Sequence, residues 1–119
     1  MKRQERCQLI ADLYPFRYNQ SMNTIEQTQA FKDWLRKVKD PMGKASIVRR
    51  IDRAAKGNFG DIKDLKDGVW EMRIPTGPGY RVYFTQQGNS IYLLLIGGDK
   101  ASQKKDIEKA KRMAADLEK

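Results

Sequence analysis

The spacing of apolar residues along the chain predicts two helices in its first half. One apolar stripe follows the i, i+3, i+4 and i+7 spacing of a helical face. It consists of Phe31, Trp34, Leu35 and Val38. Pro41 disfavours continuation of this helix but suits the first turn of another, and Asp40 is a suitable N-cap. We therefore expect a hairpin of two helices, the second ending near Gly57. The apolar stripe of the second helix is Ile47, Val48, Ile51 and Ala55.

Further along the chain, apolar and polar residues alternate, which is the pattern of strands with one buried face. In the segment 69–74 the large apolar residues point one way, and Glu71 and Arg73 point the other. Clusters of glycine, proline and asparagine separate this segment from two more. The predicted elements are a short strand at 23–27, a loop at 58–68, antiparallel strands at 69–74, 80–85 and 90–96, and a last helix from Ser102.

This order of elements predicts a mixed α+β fold, with the helices against one face of the sheet. A chain of 119 residues suffices for a single domain. Residues 1–21 differ in composition from the rest, because a short apolar stretch is followed there by Pro15 and a polar joint. We expect an N-terminal extension at 1–21 and a compact domain at 22–119.

Composition excludes several classes of chemistry. The chain has no histidine, which rules out Ser-His-Asp and Cys-His catalysis and the HExxH zinc helix. A single cysteine, Cys7, forms neither an internal disulfide nor a thiolate cage, as is typical of the reducing cytoplasm. The apolar run 93–96 is far shorter than the roughly 20 residues that cross a bilayer. We expect a cytoplasmic protein with no membrane span, metal or other cofactor.

The charge balance indicates a polyanionic partner. The formal net charge is +9, and nucleic acid is the commonest polyanion that such proteins bind. Arg73 and Arg81 fall on adjacent predicted strands, each opposite the large apolar residues of its own strand, and Lys100 follows the third strand. Arginine binds phosphate oxygens through a planar fork and stabilises the extra charge of a phosphorane. These three cations are therefore candidates for binding and cleaving an RNA phosphodiester, whose 2′-hydroxyl is a built-in nucleophile.

Other residues border the same predicted face. Glu71 is a candidate general base, with Lys100 or Tyr83 as acid, although a structural salt bridge from Glu71 to Arg73 is the simpler interpretation. Tyr83, Tyr80 and Tyr92 are candidates for stacking on bases. The remaining candidates for RNA contact are Lys63, Lys66, Tyr80, Asp99 and Lys104.

Three stretches of the chain resemble the RelE/ParE toxin superfamily, and within it the addiction-module killer proteins that are similar to HigB-type toxins. They are residues 65–74, residues 79–84 and residues 95–100, with Gln103, Asp106 and Ile107 beyond them. The resemblance implies a twisted antiparallel sheet with an N-terminal helix hairpin on one face and a C-terminal helix. It also implies a toxin of a type II toxin-antitoxin pair, neutralised by a cognate antitoxin, which cuts mRNA on the ribosome without a metal.

By position, Arg81 matches the family's phosphate-binding arginine, Arg73 the second basic residue of a strand motif, and Lys100 the basic residue after the last strand. Glu71 departs from the family by replacing the first basic residue of that motif, and Asp106 stands near the place of a C-terminal tyrosine. These departures keep two alternatives open. One is a ParE-like inhibitor of DNA gyrase without nuclease activity, and the other is an RNA-binding module without catalysis.

Overall fold

The computed structural model describes residues 22–117, and the predicted extension 1–21 lies outside this range. Seven of its eight elements correspond to the predicted helix hairpin, strands and last helix. The eighth is a short strand that the sequence pattern does not predict. In chain order they are β1 (Thr24–Gln27), α1 (Gln29–Lys37), α2 (Pro41–Ala55), β2 (Ile62–Asp64), β3 (Val69–Ile74), β4 (Tyr80–Gly88), β5 (Ile91–Asp99) and α3 (Gln103–Leu117).

The strands form one five-stranded sheet in the order β1-β5-β4-β3-β2. The pairs β2–β3, β3–β4 and β4–β5 are antiparallel, but β1 runs parallel to β5, so the sheet is mixed at this edge and departs there from the antiparallel sheet that the resemblance implies. The expectation of a loop at 58–68 is also wrong, because β2 lies within it. All three β2 residues are exposed, so no buried alternation marks this strand in the sequence.

The helix hairpin covers one face of the sheet. Its first helix begins where the Thr28 hydroxyl accepts a hydrogen bond from the Phe31 amide at 3.0 Å. The predicted N-cap of the second helix is confirmed, since the Asp40 carboxylate accepts from the Met42 amide at 3.1 Å. Both helices bury side chains in a common core with the sheet, which comprises Phe31, Ile47, Ala54, Met72, Ile74, Tyr80, Val82, Phe84 and Leu94.

The last helix lies on the opposite face, so the expectation that all helices share one face is wrong. Ala110 and Ala114 of α3 pack there in a second core with Val69, Tyr83, Leu93, Leu95 and Ile96. The register of β4 and β5 shifts between Tyr83 and Phe84. Because such a bulge lets consecutive residues share a face, Leu95 and Ile96 both belong to this second core. The second face is therefore too apolar to remain uncovered.

Two adjacent glycines allow helices to approach both sides of β5. A Cβ at Gly97 would collide with the ring of Trp34 in α1, and a Cβ at Gly98 would collide with the Asp106 carboxylate in α3. The strand continues through both glycines to Asp99 rather than ending at them. Within residues 22–117, no helix is both long enough and apolar enough to span a bilayer.

Candidate functional site

Arg73 and Arg81 lie directly opposite one another on β3 and β4. Opposed residues of an antiparallel pair share a face, and here the face is the one that α3 partly covers. Two like charges in this relation repel each other unless an opposite charge lies between them. The site is therefore built around the group that compensates the two guanidiniums.

That group is Glu71, which is two residues before Arg73 on β3 and has no exposed surface. Its Oε1 lies 3.6 Å from Arg73 Nε, and its Oε2 lies 3.5 Å from Arg81 Nε. A buried carboxylate is strongly destabilising without such partners. Each carboxylate oxygen thus faces a different arginine, and the two cations are held on either side of one buried anion.

Two further side chains complete the surroundings of Glu71. Gln103, the first residue of α3, donates a hydrogen bond from Nε2 to Glu71 Oε2 at 2.9 Å. Tyr83 is fully buried on the same face of β4. Burial, and after it the negative charge of Glu71, raises the pKa of the Tyr83 hydroxyl well above its ordinary value. Tyr83 therefore keeps its proton at any physiological pH.

Arg81 is the more enclosed of the two arginines, with 13% of its side chain exposed. Its Nη1 donates to the Gly79 carbonyl at 3.0 Å while its Nε faces Glu71. Gly79 has a φ of +82°, and a Cβ built there would lie 3.5 Å from Arg81 Nη1 and 3.8 Å from Lys100 Cβ. Gly79 thus lies close both to the Arg81 guanidinium and to the start of the Lys100 side chain.

The Arg73 side chain is 42% exposed. Contacts with residues outside β3 and β4 hold Arg73 in place. Its amide donates to the Asp61 carbonyl at 2.9 Å, and its Nε lies 4.0 Å from Asp61 Oδ1. Arg50, from α2, donates to the Arg73 carbonyl at 2.6 Å and to the Phe59 carbonyl at 2.9 Å. Sequence reasoning missed the contributions of Arg50 and Asp61, because neither residue carries a local signal of a contact with β3.

Unused hydrogen-bonding capacity is concentrated in this cluster. Among residues 22–117, four buried side-chain polar atoms lacking a hydrogen-bond partner are found here. They are Glu71 Oε1, Arg73 Nε, Arg81 Nε and the Tyr83 hydroxyl. Glu71, Arg73 and Arg81 nevertheless face one another in ion pairs of 3.5 and 3.6 Å, so charge rather than hydrogen bonding holds them together. We call Glu71, Arg73, Arg81, Tyr83, Lys100 and Gln103 the arginine cluster.

Some predicted residues lie away from the arginine cluster. Tyr80 precedes Arg81 and points to the opposite face, where its ring lies 6.3 Å from that of Trp34. Tyr92 also faces that side and contacts the rings of Phe59 and Phe84. The alternation of side chains along β4 separates Tyr80 from the cluster, contrary to the expectation. Tyr83 is fully buried, and Tyr92 is partly buried on the face of the helix hairpin.

The other predicted residues lie around the margin. Lys63 is exposed and pairs with Glu71 across β2 and β3, so it shares the face of the cluster. Lys66 is exposed in the turn before β3, with a φ of +73°. The Asp99 carboxylate accepts from the Ser102 amide at 3.1 Å, which shapes the turn into α3. Lys104 is exposed on the first turn of α3.

No set of three or more His, Cys, Asp or Glu side chains within residues 22–117 is arranged to hold a metal ion. The exposed part of Arg73 and the enclosed Arg81 place positive charge on one face of the sheet. Glu71 sets the direction of both guanidiniums. Guanidiniums can bind the oxygens of a carboxylate or of a phosphate.

Comparison with known proteins gives the class to which this arrangement belongs. Residues 33–115 match the family of phage-derived Gp49-like proteins (DUF891), so the chain belongs to that family, a RelE/toxin-like family of toxin-antitoxin systems. The chain is also similar to an uncharacterized protein of Haemophilus influenzae, with 50% identity over 93 residues. The matched segment covers 78% of this chain and 94% of the relative. The predicted relationship to RelE-type toxins is confirmed at the level of this family.

Proposed function

We propose that this chain is the toxin of a toxin-antitoxin pair and, more specifically, a HigB-like endoribonuclease that cuts mRNA on the ribosome without a metal or cofactor. The observation that carries the proposal is the pairing of Arg73 and Arg81 across β3 and β4, with the buried Glu71 carboxylate between them. The Gp49-like family supports the toxin part of the proposal.

The arginine cluster provides what phosphodiester cleavage requires of a protein. In this proposal Arg73, Arg81 and Lys100 bind the phosphate and stabilise the additional negative charge of the transition state, although Glu71 and Asp61 also lie near the two guanidiniums. Attack of the 2′-oxygen forms a new O–P bond as its proton passes to water. The bond from phosphorus to the 5′-oxygen breaks, the 5′-oxygen takes a proton from Lys100, and a cyclic phosphate is left. Orientation of the 2′-hydroxyl in line with that bond supplies much of the acceleration.

Glu71 has a positioning role in this proposal rather than that of a general base. Its side chain is fully buried, and its two oxygens face Arg73 on one side and Arg81 with Gln103 on the other. A base must reach the proton that it removes. Glu71 is therefore not assigned as the base, and Lys100 is the candidate acid for the leaving 5′-oxygen.

The test is primer extension on mRNA that is being translated in a reconstituted system with the purified protein. We expect cuts in translated message, no cuts in the same message without ribosomes, and a loss of at least about 100-fold in rate for Arg81→Ala. Arg49→Ala is the matched control, because Arg49 is an exposed arginine on α2, across the sheet from the cluster. Intact translated message with the wild-type protein contradicts the nuclease proposal.

A second function is favoured by the burial of both candidate proton-transfer groups. Glu71 and Tyr83 have no exposed surface, which suits a ParE-like gyrase inhibitor or a non-catalytic RNA-binding module. The discriminating measurement is DNA supercoiling by purified gyrase. Inhibition of supercoiling together with intact mRNA supports the gyrase alternative, whereas RNA binding with neither effect supports the binding module.

An antitoxin is the partner that the Gp49-like family suggests. We propose a small acidic or mixed-charge protein, since the chain itself has a net charge of +9. Ribosome and mRNA are the further proposed partners, and the cytoplasm is the proposed location. Co-expression with the product of the neighbouring reading frame tests the pair. We expect a complex that survives purification and growth that recovers from arrest.

A further inference from the structure

Gln103 connects the last helix to the centre of the arginine cluster. It is the first residue of α3, and its Nε2 donates to Glu71 Oε2 at 2.9 Å across 32 residues of sequence. The same oxygen lies 3.5 Å from Arg81 Nε. The amide of Gln103 also donates to the Lys100 carbonyl at 3.4 Å, so one residue contacts both the buried anion and the turn that carries the third cation.

The side-chain amide of Gln103 has a specific effect on the carboxylate. Left to itself, a carboxylate beside an arginine favours a bidentate pair, in which both oxygens face one guanidinium. In this site the two oxygens are divided, with Oε1 toward Arg73 and Oε2 toward Arg81. A hydrogen bond from Gln103 to Oε2 opposes rotation of the carboxylate into a bidentate pair with either arginine.

The side-chain amide of Gln103 is also uncharged, which affects the charge balance around Glu71. A lysine or arginine at this position would compete with Arg81 for Glu71, and a glutamate would add a second negative charge beside it. Glutamine donates a hydrogen bond without changing the charge of the cluster. The charge of Arg73 and Arg81 is thereby not reduced by a further anion at this position.

We propose that Gln103 is a positioning residue that acts through Glu71, dividing the carboxylate between Arg73 and Arg81 so that both guanidiniums face a single phosphate. The inference rests on the proposed function for its phosphate ligand. The arrangement of the arginines that it describes does not depend on cleavage, and this difference allows the two to be tested separately.

The experiment uses the full chain with Gln103→Met, which preserves the length of the side chain and removes the donor. Gln103→Glu is a second variant of nearly the same shape, so that a folding failure of one leaves the other to be measured. Gln29→Met is the matched control. Gln29 is likewise the first residue of a helix, and its Nε2 donates to Asp33 Oδ1 at 3.0 Å, away from the cluster.

The first readout is the NMR signal of the arginine Nε–H groups, which reports on Arg73 and Arg81 without any RNA. We expect both signals to shift and their hydrogen exchange to accelerate in Gln103→Met and Gln103→Glu, and to stay unchanged in Gln29→Met. The second readout is the fluorescence anisotropy of a short single-stranded RNA. We expect affinity to fall about tenfold in Gln103→Met, as for the loss of one hydrogen bond, and further in Gln103→Glu.

A double mutant separates positioning through Glu71 from general structural support. If Gln103 acts through Glu71, adding Gln103→Met to Glu71→Gln lowers RNA affinity no further than Glu71→Gln alone. Full additivity, or unchanged Nε–H signals in the Gln103 variants, overturns the proposal. If the Gln103 variants shift the Nε–H signals but the wild-type protein binds no RNA, the positioning of the arginines is supported and the proposed function is overturned instead.

Discussion

Asp106 of α3 occupies the space above Gly98 of β5 that any side chain at position 98 would need. The Ser102 hydroxyl, which donates to Asp106, also lies within 2.9 Å of the position that a Cβ would take. Gly98 in turn is the β5 neighbour of Arg81 on β4. The absence of a side chain at one residue therefore lets α3 begin close enough to the sheet for Gln103 to reach Glu71.

Gly98→Ala is expected to destabilise the protein by about 1–3 kcal/mol, because the new methyl group forces the start of α3 away from the sheet. Urea unfolding followed by circular dichroism measures the change. Gly88→Ala is the control, since a Cβ there makes only ordinary contacts with Ile91. Equal stability of the two variants contradicts the close approach of Asp106.

Glu71→Ala is expected to cost about 3 kcal/mol of unfolding free energy, because it leaves Arg73 and Arg81 facing each other without the buried anion. Thermal or urea unfolding provides the value. Asp33→Ala is the comparison, since its ion pair with Arg36 is solvent-exposed. We expect a much smaller effect there. A Glu71 variant as stable as the Asp33 variant argues against a buried ion-pair cluster.

Arg50→Lys is expected to lower stability by about 1–3 kcal/mol, although it preserves the charge. The guanidinium donates through separate nitrogens to the Arg73 and Phe59 carbonyls, and a single ammonium lacks the planar fork that spans them. Unfolding in urea measures the loss. Arg53→Lys, at an exposed position of the same helix, is the control and should leave the unfolding midpoint almost unchanged.

Stability is expected to fall with alkaline pH because of Tyr83. Its pKa is raised in the folded protein, so above the ordinary tyrosine pKa near 10 the unfolded chain loses this proton first and is favoured. Tyr83→Phe removes that contribution and flattens the decline. Urea unfolding at pH 8 and at pH 10.5–11.5 gives the slope. Tyr92→Phe, which retains Tyr83, should keep the wild-type slope, and equal slopes for the two variants contradict the assignment.

Lys63→Ala is expected to weaken RNA binding by a similar factor for every sequence, because an exposed lysine at the margin of the cluster contacts backbone rather than bases. The slope of log affinity against log salt concentration should become less negative by about 0.7, the value for one phosphate contact to single-stranded RNA. Anisotropy titrations between low and high salt measure this slope. Lys39→Ala, in the connection between α1 and α2, should leave it unchanged.

The sequence by itself determined the elements whose signal is local. The apolar stripe from Phe31 to Val38, the Asp40 cap before Pro41 and the alternation in β3 and β4 each depend on neighbours a few residues away. The alternation of side chains along β3 and β4, and the short connection between these strands, likewise indicate that Arg73 and Arg81 share one face of the sheet. The match to the Gp49-like family agrees with the class of protein that these stretches resemble.

Only the tertiary structure decided the face on which α3 packs, the parallel pairing of β1 with β5 and the contact of Gln103 with Glu71. Each brings together residues distant in the sequence, and each depends on how apolar surface left by one element is covered by another. The bulge in β5 is an example, because it turns both Leu95 and Ile96 toward the second face. Strict alternation of side chains along a strand would place these two neighbours on opposite faces, so the sequence pattern does not predict it. Helix α3 covers that surface, and its first residue thereby reaches the arginine cluster.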